Sequence, residues 1–564
     1  MYGNDFRAPR VDVHQFAMIP RAEIPRSVFR RQSQHKTTIS ATYLYPVLID
    51  EVLPGDTFNC TMTAFCRMAT PIYPILDNIQ LESWFFFVPN RILWQHWVNF
   101  CGEQPQSPSD STSYAIPTIV SPANGFTAFS IYDYCGIPGV GQITAGNTTT
   151  TNALPLRAYN MIWNQWFRDQ NLDTATGFGA TNTVYDLGDG PDPYTNYNLL
   201  PVRKRHDYFT SCLPWTQKNA TPITLPLGTS AIVKTSNSQD YTASSQPMWF
   251  RNTTGAVLPA GNQTLGVEGN NSTGAPLAAF TTAPTGTATT LYPTNLYADL
   301  STATAATINQ IRLAFQTQRL LERDARGGTR YQELIMSHFG VHPLDSRLQR
   351  PEYLGGGVTP VNISPVPQTT GTGATGTTAP LGTLAAVGTS IARNHGFRQS
   401  FTEHGYILGL ITIRQDQSYQ QGLRRMWTRS TRYDFYWPVF AMLGEQSVRN
   451  DEIYCIGGIS GQDQLTFGYQ ERWAEYRYLP SQISGAFRST YSTPLDAWHL
   501  SPKFTALPAL NTAFIQDNTS TNLTRTLAAG ASAANEQFLC DLLFDIKSAR
   551  PMPMYGVPGL IDHF

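Results

Sequence analysis

The sequence predicts a mainly β protein, an antiparallel sandwich whose loops are longer than its strands. Three observations carry this reading: two-residue alternation near both ends of the chain, long stretches almost without charge between them, and few segments of helical period. Alternation marks a half-buried strand because successive side chains point to opposite faces.

The first 36 residues hold Arg7, Arg10, Arg21, Arg26, Arg30, Arg31 and Lys36 against Asp5, Asp12 and Glu23, seven cations to three anions. With Pro9, Pro20 and Pro25 interrupting regular structure, residues 1–36 are expected to form an extended basic arm. Such an arm either straps a neighbouring subunit or contacts nucleic acid, and Arg7, Arg10, Arg21, Arg26, Arg30 and Arg31 are its DNA-contact candidates.

From Thr57, Phe58, Cys60, Met62, Ala64, Cys66 and Met68 share one face, with Asn59, Thr61, Thr63 and Arg67 on the other. Near the other end Phe538, Cys540, Leu542, Phe544 and Ile546 alternate with Asp541, Asp545 and Lys547. Residues 78–88 (NIQLESWFFFV) give a strand apolar on both faces toward its end. Further strands are expected at 38–50, 406–414, 433–442 and 467–478. Strands at both ends with long excursions between fit a Greek-key or jelly-roll sandwich better than a regular βα winding.

Helical spacing is confined to a few runs. Trp94, Trp97 and Val98 in residues 90–101, and Tyr159, Ile162, Trp163 and Trp166 in 159–167, form single stripes, for which packing is a better explanation than nucleotide stacking. A helix over 307–326 stops at Gly327-Gly328, and Thr329 with Gln332 suggests a capping box opening a second helix that ends at Gly340. Residues 307–340 are therefore expected to form a helix-turn-helix insertion.

Three excursions are nearly uncharged and rich in Thr, Gly, Ala, Asn and Pro: 107–156, 219–309 and 353–392. They are expected to be surface loops ordered by neighbouring chains, with 354–392 a low-complexity loop. Residues 37–564 are otherwise expected to make one domain.

Composition narrows the function classes. A formal net charge of −1 excludes a chain-wide positive field, so any nucleic-acid contact must be local. Charged residues are only 14% and aromatics 12%, a balance suited to burial against copies of the chain. Lysine stands only at 36, 204, 218, 234, 503 and 547, and 39 basic residues less these six leaves 33 arginines. Arginine forks suit carboxylates and phosphates. Seven cysteines without a C-x-x-C pair suggest reduced, buried thiols, not a disulfide framework or zinc site. The N-terminal residues lack an apolar signal region and no run is long enough to span a membrane, so intracellular folding is expected.

The catalytic patterns that occur are incomplete. Gly371, Gly373 and Gly376 match a dinucleotide fingerprint but lie in a Thr/Gly loop, and the glycine spacing around Ser460 fails that of a nucleophile elbow. His338 and His342 are separated by a helix-ending glycine, so no metal site is expected, nor any cofactor. Two basic clusters, Arg203, Lys204 and Arg205, and Arg424 and Arg425 beside Met426 and Trp427, are candidates for a subunit interface or for single-stranded DNA, with the interface preferred.

At LLERDARGGTRYQELIMSHFGVHPLDSRLQRPEYLGG, residues 320–356, the chain resembles the major coat proteins of the Microviridae, in their gokushovirus branch. The likeness extends to QHKTTISATYLYPVLIDEVLPGDTF, RKRHDYFTSCLPWTQK, FTEHGYILGLITIRQDQSYQQGL and the closing ARPMPMYGVPGLIDHF. It implies an eight-stranded antiparallel jelly-roll β-sandwich with long loop insertions and a few short helices. It further implies a non-enzymatic homo-oligomer that assembles in the bacterial host cytoplasm into the simplest icosahedral shell around a circular single-stranded DNA genome. The implied partners are internal scaffolding, small DNA-binding and minor pilot proteins and a host surface receptor, the last met by residues 221–300 as a threefold protrusion. The rival reading is a secreted β-rich carbohydrate-active or adhesin protein, which should carry a signal peptide. A stand-alone single-stranded DNA-binding protein should be smaller and more basic.

Overall fold

The computed structural model describes residues 25–103, 114–218, 308–371, 381–457, 461–533 and 535–556. Between 219 and 307 it describes only 232–235, 250–252, 264–267, 277–280, 289–293 and 296–299. The chain divides into two compact units, Gln217–Arg323 and the remainder.

Among the described residues nine strands of the larger unit build its sandwich: β1 (Ser27–Ile39), β2 (Tyr45–Val52), β3 (Thr57–Met68), β4 (Ile79–Pro89), β5 (Glu352–Pro360), β6 (Asn362–Pro367), β7 (Leu384–Ser400), β8 (Gly405–Gln415) and β9 (Phe538–Arg550). They form two antiparallel sheets, ordered β1-β9-β3-β7-β6 and β5-β4-β8-β2. The count exceeds the expected eight because the run from Glu352 to Pro367 passes from one sheet to the other at Val361 and contributes to both.

Alternation sets the register of the first sheet. Every second residue of β3 from Phe58 to Met68 is buried, as is every second residue of β9 from Phe538 to Ile546. Cross-strand pairing places Cys540 opposite Cys66, Phe544 opposite Met62 and Ile546 opposite Cys60. These side chains meet Leu81, Phe85 and Phe87 of β4 and Ile407, Ile411 and Ile413 of β8 in the core between the sheets. Polar contacts also join the sheets: His395 of β7 reaches Ser83 of β4 through Nδ1 (2.7 Å) and Thr359 of β5 through Nε2 (2.9 Å).

The second sheet is apolar on both faces. Phe86 and Val88 of β4 and Tyr406, Leu408 and Leu410 of β8 enter a second core, roofed by residues from 92–103 and 114–202. That roof includes the helix α1 (Leu154–Ile162), which continues as a π-helical turn through Phe167. Trp94 and Trp163 are buried in this core, as packing predicts. The 114–156 part of the uncharged 107–156 excursion is not a surface loop, because Ile119, Phe126, Ile131 and Leu154 are core residues of the same roof.

Other expectations need correction. Residues 27–36 are not part of a free arm; they lie in β1, paired along its length with β9. The described part of 354–392 is not a single loop: it carries most of β5, all of β6 and the start of β7. Their glycines are demanded by close approach: a Cβ on Gly356 would come within 2.1 Å of the Ser83 carbonyl oxygen, and one on Gly357 within 2.5 Å of His395. The expected 38–50 strand is split at residues 40–44, and the 90–101 helix reduces to a 3₁₀ turn and one α turn. Residues 433–442 form two 3₁₀ turns, Arg432–Asp434 and Pro438–Phe440. The 467–478 strand stops at Glu471, beyond which Trp473 takes a positive φ of 70°.

Two helices follow one another, α2 (Ile308–Arg326) and α3 (Tyr331–Phe339). The cap of α3 lies one residue later than expected: Arg330 N–H donates to the Glu333 carboxylate (3.0 Å). In the smaller unit Phe250–Asn252, Thr289–Pro293, Leu277–Phe280 and Thr264–Val267 form one small antiparallel sheet, and Ile232–Thr235 pairs with Leu296–Asp299.

Candidate surfaces for assembly and nucleic acid

The predicted site residues go to different places. Arg7, Arg10 and Arg21 lie outside the described residues. Arg26 donates to Thr57 Oγ1 at 2.9 Å, and Arg30 forms a two-pronged pair with Asp545, Nε at 3.0 Å and Nη2 at 2.7 Å. Arg31 points the other way. Its guanidinium grips Asp50 and lies 5.5 Å over the Phe58 ring, so it braces the two sheets against each other.

In the Arg203-Lys204-Arg205 cluster only Lys204 is buried, and both arginines are half-buried in intramolecular ion pairs. Arg203 pairs with Asp173 and lies over Trp163. Arg205 reaches Asp416 at 2.9 Å and Glu82 at 3.3 Å. Lys204 is buried with its ammonium 4.5 Å from the Phe514 ring centroid, and burial pushes its pKa down to about 8. Carboxylates 30 or more positions away pair with the two arginines, which no local spacing could reveal.

Arg425 donates to the Ser447 carbonyl (2.6 Å) and pairs with Glu452 (3.3 Å), whereas Arg424 has no side-chain partner among the described residues. Both line a pocket of about 290 Å³ with Tyr208, Trp427, Glu475 and Tyr476. Its carboxylates are committed: Glu452 also accepts from Tyr208 (2.9 Å), and Glu475 pairs with Arg429 (3.1 Å) and accepts from Gln446 (2.6 Å). His338 bonds Asp324 (2.6 Å) and His342 bonds Gln332 (3.1 Å). Among the described residues no group of three or more His, Cys, Asp or Glu is placed to hold a metal ion, and no helix is long and apolar enough to cross a membrane. Cys60, Cys66, Cys212 and Cys540 are buried free thiols, but Cys101 and Cys455 are exposed.

Beside the pocket the surface is apolar. Trp427, Tyr433, Phe435, Val439 and Met442 project from the turns of 425–443, with Val439 89% and Met442 97% exposed. Leu313 and Phe315 on α2 and Tyr331 and Phe339 on α3 are also exposed. Exposed apolar groups at this density mark surfaces that other protein covers.

The outer face of the first sheet is a second open surface. The polar phase of its strands places Arg30, Lys36, Arg67, Arg398, Asp541, Asp545 and Lys547 there, with Arg393 exposed in the bulge of β7 between Ala392 and His395. Alternation placed Arg67, Asp541, Asp545 and Lys547 singly on the polar phase of their strands. It could not show that they share a face, because that needs the register between strands far apart in sequence.

A sandwich with one roofed and one open sheet and exposed apolar turns has the surfaces of a structural protein that binds other protein. The family described as "Capsid protein (F protein)" matches residues 17–560. The chain is 44% identical to "Capsid protein VP1" of Bdellovibrio phage phiMH2K over 98% of its length and 99% of the relative's. It is 40% identical to the protein of the same name in Chlamydia phage 1, covering 98% and 99%. With that of Spiroplasma virus 4 the identity is 37%, covering 97% and 98%. The chain belongs to this capsid-protein family and is a structural component of the virion.

Proposed function

We propose that copies of this chain close into the simplest icosahedral shell around a circular single-stranded DNA genome, assembling in the bacterial cytoplasm. The observation that carries the assembly reading is the apolar surface of 425–443, which a lone soluble subunit would leave in water. Each copy covers such patches on its neighbours, and shell closure multiplies contacts that are individually weak.

The finer roles rest on the family resemblance and on the charge of the segments. Residues 221–300, which fall within the compact unit Gln217–Arg323, suit contact with a host receptor as a threefold protrusion. Arg7, Arg10 and Arg21 serve DNA, and scaffolding, small DNA-binding and pilot proteins meet the shell from within. Electron microscopy of the purified protein tests the central claim. Uniform shells are expected, and Val439→Asp with Met442→Asp should leave folded, unassembled subunits. Wild-type protein that stays monomeric under all conditions would overturn it.

A further inference from the structure

The open face of the first sheet carries the strongest local charge imbalance on its strands. Arg30, Lys36, Arg67, Arg393, Arg398 and Lys547 stand against Asp541 and Asp545, a net of +4 in a chain of −1. The two carboxylates are occupied: Asp545 by Arg30, and Asp541 by Gln34 Nε2 at 2.7 and 2.8 Å. Lys36, Arg67, Arg393, Arg398 and Lys547 have no ion-pair partner among the described residues.

Apolar side chains lie between the cations. Phe65 is 45% exposed, with Ile391 opposite it on one neighbouring strand and Asp541 on the other; Leu539 sits opposite Arg67, and Leu543 follows along β9. From Asn59 to Arg67 the array runs about 27 Å along β3, taking about 3.4 Å per residue.

We propose that this face is a binding surface for single-stranded nucleic acid, with phosphates on Lys36, Arg67, Arg393, Arg398 and Lys547 and unstacked bases against Phe65 and its aliphatic neighbours. This deepens the shell reading and rests on it. The chemistry is that of sequence-tolerant strand binding, in which a cationic track holds the backbone and a ring takes the bases. A second copy offering the same face is disfavoured, since +4 would meet +4. A duplex would leave the exposed ring and aliphatics without partners, because its bases are already stacked.

The test uses the full chain and a fluorescent single-stranded oligodeoxynucleotide, titrated from about 50 to 200 mM salt. The variant K36Q/R67Q/R398Q/K547Q should bind at least tenfold more weakly. Its plot of log affinity against log salt should be shallower by about 2 to 3, at about 0.7 for each phosphate that no longer meets a cation. The variant R312Q/R319Q/R323Q/R347Q makes the same charge change elsewhere and should bind like wild type. An equal loss in both variants, or in neither, overturns the inference. Particles of the first variant should form with a lowered ratio of absorbance at 260 to 280 nm; full nucleic-acid content, or loss of assembly in a subunit that keeps its thermal melt, would also overturn it. Wild-type protein that builds no shells yet loses oligonucleotide binding in the variant would refute the shell reading alone.

Discussion

The two sheets of the sandwich share a core and differ in what lies behind them. The β5-β4-β8-β2 sheet has a second core on its far side, so Phe86 is 1% exposed. The β1-β9-β3-β7-β6 sheet meets solvent, so Phe65 is 45% exposed. The sequence differs to match. β4 and β8 are near-continuous apolar runs, whereas β3 and β9 alternate. The difference teaches which part of the chain fixes the fold and which is left for partners: side chains on the roofed sheet are held by packing on both sides, and those on the open face are constrained only by what arrives from outside.

The contrast breaks most sharply at the roof. Arg157 on α1 is wholly buried, its guanidinium on Asp192 at 2.6 and 2.8 Å and on the Leu93 carbonyl at 3.1 Å, while Tyr197 donates to the same carboxylate at 2.5 Å. Arg157→Met leaves the Asp192 charge without its counterion, an expected loss of about 3–5 kcal/mol in urea unfolding of the dissociated subunit. Phe86→Ala should cost a similar amount, about 3–5 kcal/mol, because Trp166, Phe167 and Tyr353 surround the ring and cannot all collapse into the gap.

Lys204 gives a smaller, pH-dependent effect. Its folded pKa of about 8 lies below the ordinary 10.5, so between these values the unfolded chain binds more protons and stability rises with pH. The gain is complete above the unfolded value and absent below about 8. Lys204→Met should flatten that rise and add about 1–3 kcal/mol at neutral pH, as the cost of burying the ammonium disappears. Thermal melts of wild type and Lys204→Met at pH 7 and pH 10 check it, because the buried tyrosines and thiols act alike in both; an advantage of Lys204→Met that does not shrink from pH 7 to pH 10 would contradict the sign.

Much of this contrast was legible in the sequence. Alternation from Phe58 to Met68 and from Phe538 to Ile546 gives the buried set of each strand correctly, and the unbroken run ending at Val88 signals a strand covered on both faces. Gly355, Gly356 and Gly357 misled because the same composition serves a flexible loop and a strand pressed against its neighbours. The turns of 425–443 misled because their aromatics suit a strand, yet Trp437, Val439 and Met442 remain on the surface. The cations were visible as residues but not as partners: Arg205 meets Asp416 and Arg91 meets Glu403 across hundreds of positions, separations at which local spacing carries no information.

Phe65→Ala is the smallest expected change in stability and the sharpest probe of the open face. The ring already meets solvent beside Ile391 and Asp541, so its removal should alter subunit stability by no more than about 0.5 kcal/mol. Its effect on a bound strand should be larger, about 1–3 kcal/mol, because a base resting on it loses its platform. The salt slope should stay at the wild-type value, since every phosphate keeps its cation. This separates the ring from the cations around it. Replacing the lysines and arginines changes slope and affinity together, and replacing the ring changes affinity alone. A Phe65→Ala protein that melts several degrees lower with unchanged strand affinity would mean that the face is a packing surface, and the distinction between the two sheets would then lie only in which neighbour covers them.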